Sequence, residues 1–88
     1  MSEQTKLLAR ILSGRSDNNI PFDSLCRLLV SLGFEQRIRG DHHIFTQDGI
    51  PEIQNIQPRG SQAKAYQVKQ MRKVFVRHKL GGNDADSV

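Results

Sequence analysis

Two adjacent histidines, His42 and His43, are the residues of this sequence best suited to chemistry. They follow Gly40 inside a basic segment that contains Arg37 and Arg39. A neutral imidazole accepts or gives a proton near pH 7, so histidine is the side chain most suited to general acid–base catalysis. Beside cations, that chemistry would act most naturally on a substrate that bears phosphate. The spacing alone is equally typical of a packed histidine beside an ordinary surface histidine, and it leaves open which of the two is which.

A second set of cations suggests a surface for a polyanion. The chain has 13 Lys and Arg against 9 Asp and Glu, a formal charge of +4. The candidate RNA-binding residues are Arg37, Arg39, Arg59, Lys64, Lys69 and Lys73. Such a surface would bind RNA mainly through its phosphates, so binding should weaken with salt and with charge reversal at Lys69 and Lys73. A basic helix face is also often only solvated.

Metal and cofactor sites find little support in the sequence. Neighbouring strand residues point to opposite faces, so His42 and His43 would need further ligands to hold one ion. The further candidates are Asp41, Asp48 and His78. We therefore expect no metal and no cofactor.

The single cysteine and the absence of long apolar runs bear on the compartment. Cys26 has no partner for an intramolecular disulfide, and it lies on an apolar helix face, which argues against a nucleophile. No apolar run approaches the roughly 20 residues that span a bilayer. The first residues do not resemble a signal peptide. We expect a cytoplasmic protein with no membrane partner.

Hydrophobic periodicity predicts the elements that position these residues. Apolar residues at helical spacing predict helices within 7–14, 22–33 and 65–79, the last ended by Gly81 and Gly82. Alternation predicts strands at 34–39, 42–46 and 51–57, with a break at 58–61. The expected order is α-α-β-β-β-α. The fold class is therefore α+β, a three-stranded antiparallel sheet with the second and third helices on one face.

Five segments together resemble the HicA-type toxins of bacterial type II toxin–antitoxin systems. They are LCRLL at 25–29, LGF at 32–34, RIRGDHHIF at 37–45, NIQP at 55–58 and AKAYQVKQMR at 63–72. The resemblance implies a fold like that of a double-stranded-RNA-binding domain. It also implies an mRNA interferase, an endoribonuclease that cleaves mRNA and is held inactive by a HicB-like antitoxin. The family's key histidine follows a Gly-Ser pair, which corresponds to His42, with His43 as the second choice.

Three features of the chain differ from that family. Asp41 stands where the family has serine, and its negative charge beside His42 would repel a phosphate. Residues 58–60 stand where many relatives have a second histidine, and the helix at 1–14 is additional to the minimal toxin. We expect one HicA-like domain over 1–82, with a core at 20–80 and a disordered tail at 83–88. The alternative function is a module of the same fold that binds RNA or a partner protein without catalysis.

The residues suit an RNA cleavage that needs no metal. RNA carries its own nucleophile, the 2′-hydroxyl, from which a neutral His42 would withdraw the proton. A protonated His42 would instead donate to the leaving 5′-oxygen. Arg37, Arg39 or Arg59 would offset the charge on the pentacovalent phosphorane.

Overall fold

The computed structural model describes residues 3–80 and has an α+β architecture, in agreement with the sequence-based prediction. The helices are α1 (Glu3–Ser13), α2 (Phe22–Ser31) and α3 (Ala65–Arg77), with a short 3-10 helix at Asp17–Asn19. The strands are β1 (Glu35–Arg39), β2 (His42–Gln47), β3 (Ile50–Ile56), β4 (Pro58–Arg59) and β5 (Gln62–Ala63). The predicted tail at 83–88 lies outside the described residues.

The main sheet is antiparallel, has the order β1-β2-β3, and places the two histidines on opposite faces. Arg39 lies opposite His42 in the β1–β2 register, and His43 lies opposite Ile56 in the β2–β3 register. Side chains alternate along a strand, so His42 shares its face with Arg39, whereas His43 shares its face with Phe45 and Ile56. Phe45 and Ile56 are buried, which identifies the second face as the one that the helices cover.

The core lies between the covered sheet face and all three helices. Its fully buried side chains include Ile11 of α1, Leu25 of α2, Phe75 of α3 and Phe45 of the sheet. The N-terminal helix therefore belongs to the same core as the rest of the domain. Its end is also tied to α3, because the guanidinium of Arg72 donates to the backbone oxygen of Ile11 at 3.1 Å.

The third helix ends earlier than the sequence predicted, at Arg77 rather than at 79. Lys79 adopts the left-handed conformation with φ 56°, the position at which a glycine would usually end a helix. The N–H of Leu80 donates to the oxygen of Phe75 at 2.8 Å, and that of Lys79 to Val76 at 3.3 Å. These two bonds satisfy the last carbonyls of the helix before the predicted stop at Gly81 and Gly82 is reached.

The second helix ends where the sequence predicted, and its end fixes the start of β1. Gly33 has φ +101°, and a Cβ there would lie 2.7 Å from the side-chain nitrogen of Gln47. The N–H of Phe34 donates to the oxygen of Leu29 at 3.1 Å, which turns the chain into β1. Glycine is therefore favoured at this corner by its backbone angle, and a larger residue would also have to displace the flexible end of Gln47.

A two-stranded hairpin stands where the sequence predicted only a break. Its strands, β4 and β5, pair Pro58 with Ala63 and Arg59 with Gln62. The N–H of Ala63 donates to the oxygen of Ile20 at 2.9 Å, so the hairpin is joined to the segment before α2. Strands of two residues carry no periodic signal, which is why the sequence did not predict them.

Candidate active site

The ring of His42 lies at the beginning of β2, on the face of the sheet opposite the helices. Its side chain is 46% exposed, so a ligand can reach it from solvent. The preceding turn contains Gly40 with φ +59°, and Arg39 lies directly opposite on β1. A tight turn of this kind places the first side chain of the second strand at the end of the sheet.

Both ring nitrogens of His42 have side-chain amide partners from the end of β3. The Nδ1 atom lies 3.0 Å from Oδ1 of Asn55. The Nε2 atom lies 3.1 Å from Nε2 of Gln57. The ring is thus held in one orientation on the sheet surface.

The contacts continue from Gln57 to two charged residues. The ammonium of Lys64 donates to Oε1 of Gln57 at 3.0 Å. The amide nitrogen of Gln57 donates to Oδ2 of Asp41 at 3.5 Å, and Oδ1 of Asp41 lies 3.8 Å from Nε2 of His42. We call Asp41, His42, Asn55, Gln57 and Lys64 the His42 network. It joins the β1–β2 turn, the end of β3 and the residue before α3.

A buried glutamine at the start of α3 holds the end of β3 in place. Gln67 is only 5% exposed. Its Oε1 accepts from the backbone N–H of Gln57 at 3.1 Å, and its Nε2 donates to the backbone oxygen of Asn55 at 3.3 Å. Because a buried amide without partners costs free energy, these bonds fix the position of the helix relative to the strand. Gln67 therefore supports the two residues that hold the His42 ring.

Asn55, Gln57 and Gln67 were not among the site residues predicted from the sequence. The available signals were the alternation along β3, which puts Asn55 on the same sheet face as His42, and a glutamine within the apolar stripe of α3. Neither signal identifies a hydrogen-bond partner, so the network becomes evident only from the fold.

His43 lies on the other face of the sheet, half-buried against α2. The rings of Phe22 and His43 meet edge to face with centroids 4.8 Å apart. The Nδ1 atom of His43 lies 3.0 Å from the amide nitrogen of Gln36 and 3.9 Å from Sγ of Cys26. Burial, with a further contribution from the charge of Asp23, raises the pKa of the Cys26 thiol to about 11. The thiol therefore stays protonated near neutral pH, which does not favour a Cys–His nucleophile.

Two of the predicted RNA-binding arginines lie on the open face with His42. Arg37 and Arg39 are exposed, and together with Ile44 and Thr46 they line a depression of about 300 Å³. Glu35 also lines the same depression. The cationic charge beside the imidazole is thus present on this face.

The other predicted cations are distributed more widely. Lys64 joins the His42 network through Gln57, but Lys73 lines a separate depression with Glu52, a residue near the start of β3. Nine helical positions separate Lys64 and Lys73, which corresponds to about 13 Å along the axis. Lys69 is exposed on α3, and no hydrogen bond or ion pair among residues 3–80 joins it, or the exposed Arg59, to His42. The fold therefore does not unite all six cations in one surface around the histidine.

Searches of residues 3–80 for a metal site and for a membrane-spanning helix gave no candidate. In the part of the chain from residue 3 to residue 80, no three His, Cys, Asp or Glu side chains come together as a group that could hold a metal ion. None of the helices described there is long and apolar enough to cross a membrane.

In comparisons with protein-family models, curated proteins and solved structures, the chain has no match.

Proposed function

We propose that this protein is the toxin of a HicA/HicB-type toxin–antitoxin system, an endoribonuclease that cleaves mRNA in the cytoplasm without a metal. The observation that carries the proposal is the position of His42, exposed on the open sheet face beside Arg39 and held by Asn55 and Gln57. The segment that resembles the family motif, residues 37–45, forms the hairpin that creates this position. The open antiparallel sheet with helices on one face is also in keeping with the double-stranded-RNA-binding-domain-like fold implied by the resemblance.

The proposed reaction uses the 2′-hydroxyl of RNA as the nucleophile. His42 accepts its proton while the 2′-oxygen attacks the adjacent phosphorus. The bond from phosphorus to the 5′-oxygen breaks, that oxygen takes a proton from water as it leaves, and the protonated His42 later returns its proton to solvent. The products are a 2′,3′-cyclic phosphate and a 5′-hydroxyl. Arg37 and Arg39 lie on the same face and would stabilise the charge of the pentacovalent phosphorane.

One histidine serves this reaction rather than a pair. His43 packs against α2 and His78 binds Glu52, so His42 is the only histidine among residues 3–80 on the open face. A second positioned acid or base contributes a typical factor of about 10²–10⁴ in rate. The proposal therefore predicts slow cleavage compared with ribonucleases that use two histidines.

The test is cleavage of an end-labelled RNA by the purified full chain in the presence of EDTA. The expected products carry a 2′,3′-cyclic phosphate, and a strand with a 2′-deoxy residue at the cleaved position should resist. His42→Ala should abolish cleavage, whereas His78→Gln, which removes a histidine far from the site, should not. A failure of the parent protein to cleave, or cleavage of the 2′-deoxy strand, would exclude the proposed reaction.

A second candidate function is a non-catalytic module that binds RNA or a partner protein. The observation that favours it is that Gln57 occupies Nε2 of His42, with the carboxylate of Asp41 only 3.8 Å away. Such a module would bind RNA but leave it intact, and His42→Ala would change neither result. Co-purification with a small HicB-like protein from the neighbouring reading frame tests the antitoxin separately, because the toxin proposal requires that partner and its inhibition of cleavage.

A further inference from the structure

We propose that Asp41, Gln57 and Lys64 are positioning residues that hold His42 in the tautomer with its proton on Nδ1 and its lone pair on Nε2. The consequence for catalysis rests on the proposed ribonuclease function. The tautomer itself is assigned from the contacts of the His42 network alone and is independent of that function.

The orientation of the Gln57 amide is fixed by two charged residues. An ammonium group only donates hydrogen bonds, so the atom that faces Lys64 at 3.0 Å must be the amide oxygen. An ionised carboxylate only accepts, so the atom that faces Asp41 at 3.5 Å must be the amide nitrogen. Turning the amide over would oppose donor to donor and acceptor to acceptor. Two charged residues on opposite ends therefore fix which end of Gln57 meets the histidine.

The contacts of the ring then show which nitrogen of neutral His42 carries the hydrogen. The NH₂ group of Gln57 lies 3.1 Å from Nε2 of His42, and a donor at that distance requires a lone pair on the ring nitrogen. At the other side of the ring, Oδ1 of Asn55 lies 3.0 Å from Nδ1 and requires a hydrogen there. Both contacts select the same neutral tautomer. Asn55 alone could turn its amide over, but the orientation of Gln57 is fixed by charge.

The tautomer with its lone pair on Nε2 is the one that suits the proposed reaction. The lone pair on Nε2 is the group that a general base needs, and the side chain that carries it is 46% exposed. The N–H of Gln57 occupies the place from which the 2′-hydroxyl of a bound RNA would donate. Substrate would thus replace one donor by another without a change of tautomer. The charged groups around the ring are Asp41 from its own turn, Arg39 from β1 and, through Gln57, Lys64.

The assignment can be tested without any RNA, from the ¹⁵N chemical shifts of the ring nitrogens of His42. In the ¹⁵N-labelled full chain at a pH where the ring is neutral, we expect a protonated Nδ1 and an unprotonated Nε2, with His42→Ala identifying the signals. Lys64→Met should release the Gln57 amide and move both shifts toward a mixture of tautomers. Gln57→Glu replaces the donor by an acceptor and should place a proton on Nε2. A proton on Nε2 in the parent, or unchanged shifts in Gln57→Glu, would overturn the assignment.

The catalytic consequence has a separate readout. If the parent cleaves RNA, Gln57→Glu should lower kcat at neutral pH by about 10²-fold, because the base is already protonated, with a smaller change in KM. The loss should persist as the pH rises, because the two neutral tautomers carry the same number of protons and a higher pH does not restore the lone pair on Nε2. Gln70→Glu adds the same charge on an exposed part of α3 and is the matched control, expected to cleave like the parent. A loss that disappears at high pH would reject the positioning role, because it would show a change in protonation rather than a change of tautomer. The expected tautomer in a parent that does not cleave would reject the ribonuclease instead.

Discussion

The two adjacent histidines should respond to replacement in opposite ways. His42→Ala should abolish RNA cleavage with little effect on folding, whereas His43→Ala should weaken folding and leave the chemistry in place. The reason is the register of β2, which turns His42 to solvent and His43 toward Phe22 and Cys26. One strand thus separates the proposed catalytic and packing roles at neighbouring positions.

The expected magnitudes follow from the contacts of each ring. His43 would lose an edge-to-face contact with Phe22, typically about 0.5–1.5 kcal/mol, and a hydrogen bond with Gln36, typically about 0.5–1.5 kcal/mol. We therefore expect a total loss of about 1–3 kcal/mol. For a domain of this size, a loss of about 2 kcal/mol lowers Tm by roughly 8–16 °C. His42 loses its contacts with Asn55 and Gln57, but its side chain is 46% exposed and water can replace them, so its replacement should cost no more than about 1 kcal/mol.

The assay combines thermal and urea unfolding with cleavage of a labelled RNA, all on the same preparations. Cleavage by His43→Ala is measured well below its Tm, so that lost folding is not mistaken for lost catalysis. A stable His43→Ala protein without activity, beside an unstable but active His42→Ala protein, would show that the roles of the two faces are reversed. Cleavage by both variants at the rate of the parent would refute a catalytic role for either histidine.

Three further sets of substitutions test the basic surface, the Glu52–His78 contact and the end of α3. RNA affinity and its salt dependence should fall more after Arg39→Glu than after Lys73→Glu, because Arg39 lies opposite the histidine at the site; equal losses in filter binding across a salt series would contradict this. A hydrogen bond from His78 lowers the pKa of Glu52, so this carboxylate stabilises the fold above its unfolded pKa and loses that contribution as the pH falls through the folded pKa. Urea midpoints of Glu52→Gln should therefore decline less on acidification than those of the parent, and parallel declines would argue against it. Lys79→Gly should raise stability by about 0.5–1 kcal/mol, because Lys79 has a positive φ, and a lower urea midpoint would disprove that reasoning.

The elements of the fold were predictable because each carries its own periodic signal. The apolar stripe from Phe22 to Leu32 and the glycine after it gave both ends of α2 within about one residue. The end of α3 was not predictable in this way, because Lys79 takes the left-handed position that the sequence reserves for glycine. Its bonds, and those of Leu80, depend on packing of the last turn against the core. Local propensity was overridden there by tertiary structure.

The sequence did not show which face of β2 is buried. Alternation required His42 and His43 to point in opposite directions, but the next two residues, Ile44 and Phe45, are both apolar and gave no preference. The fold decides through the partners of each strand: Phe45 is fully buried, whereas Ile44 lies on the open face opposite Arg37. An isoleucine on an open sheet face costs little, since much of any protein surface is apolar.

The contacts of Asp41 have a different implication from its charge. By sequence, Asp41 counts against catalysis, because it adds a negative charge where phosphate should bind. Its carboxylate is 70% exposed, and two unit charges about 4 Å apart in water interact by only about 1 kcal/mol, less in salt. The same carboxylate also accepts a hydrogen bond from the amide nitrogen of Gln57, which lies 3.1 Å from Nε2 of His42. In the proposed reaction, a weak, screened repulsion would thus accompany a contact that orients the imidazole, and correct orientation of a general base affects its rate by far more than a single exposed charge does.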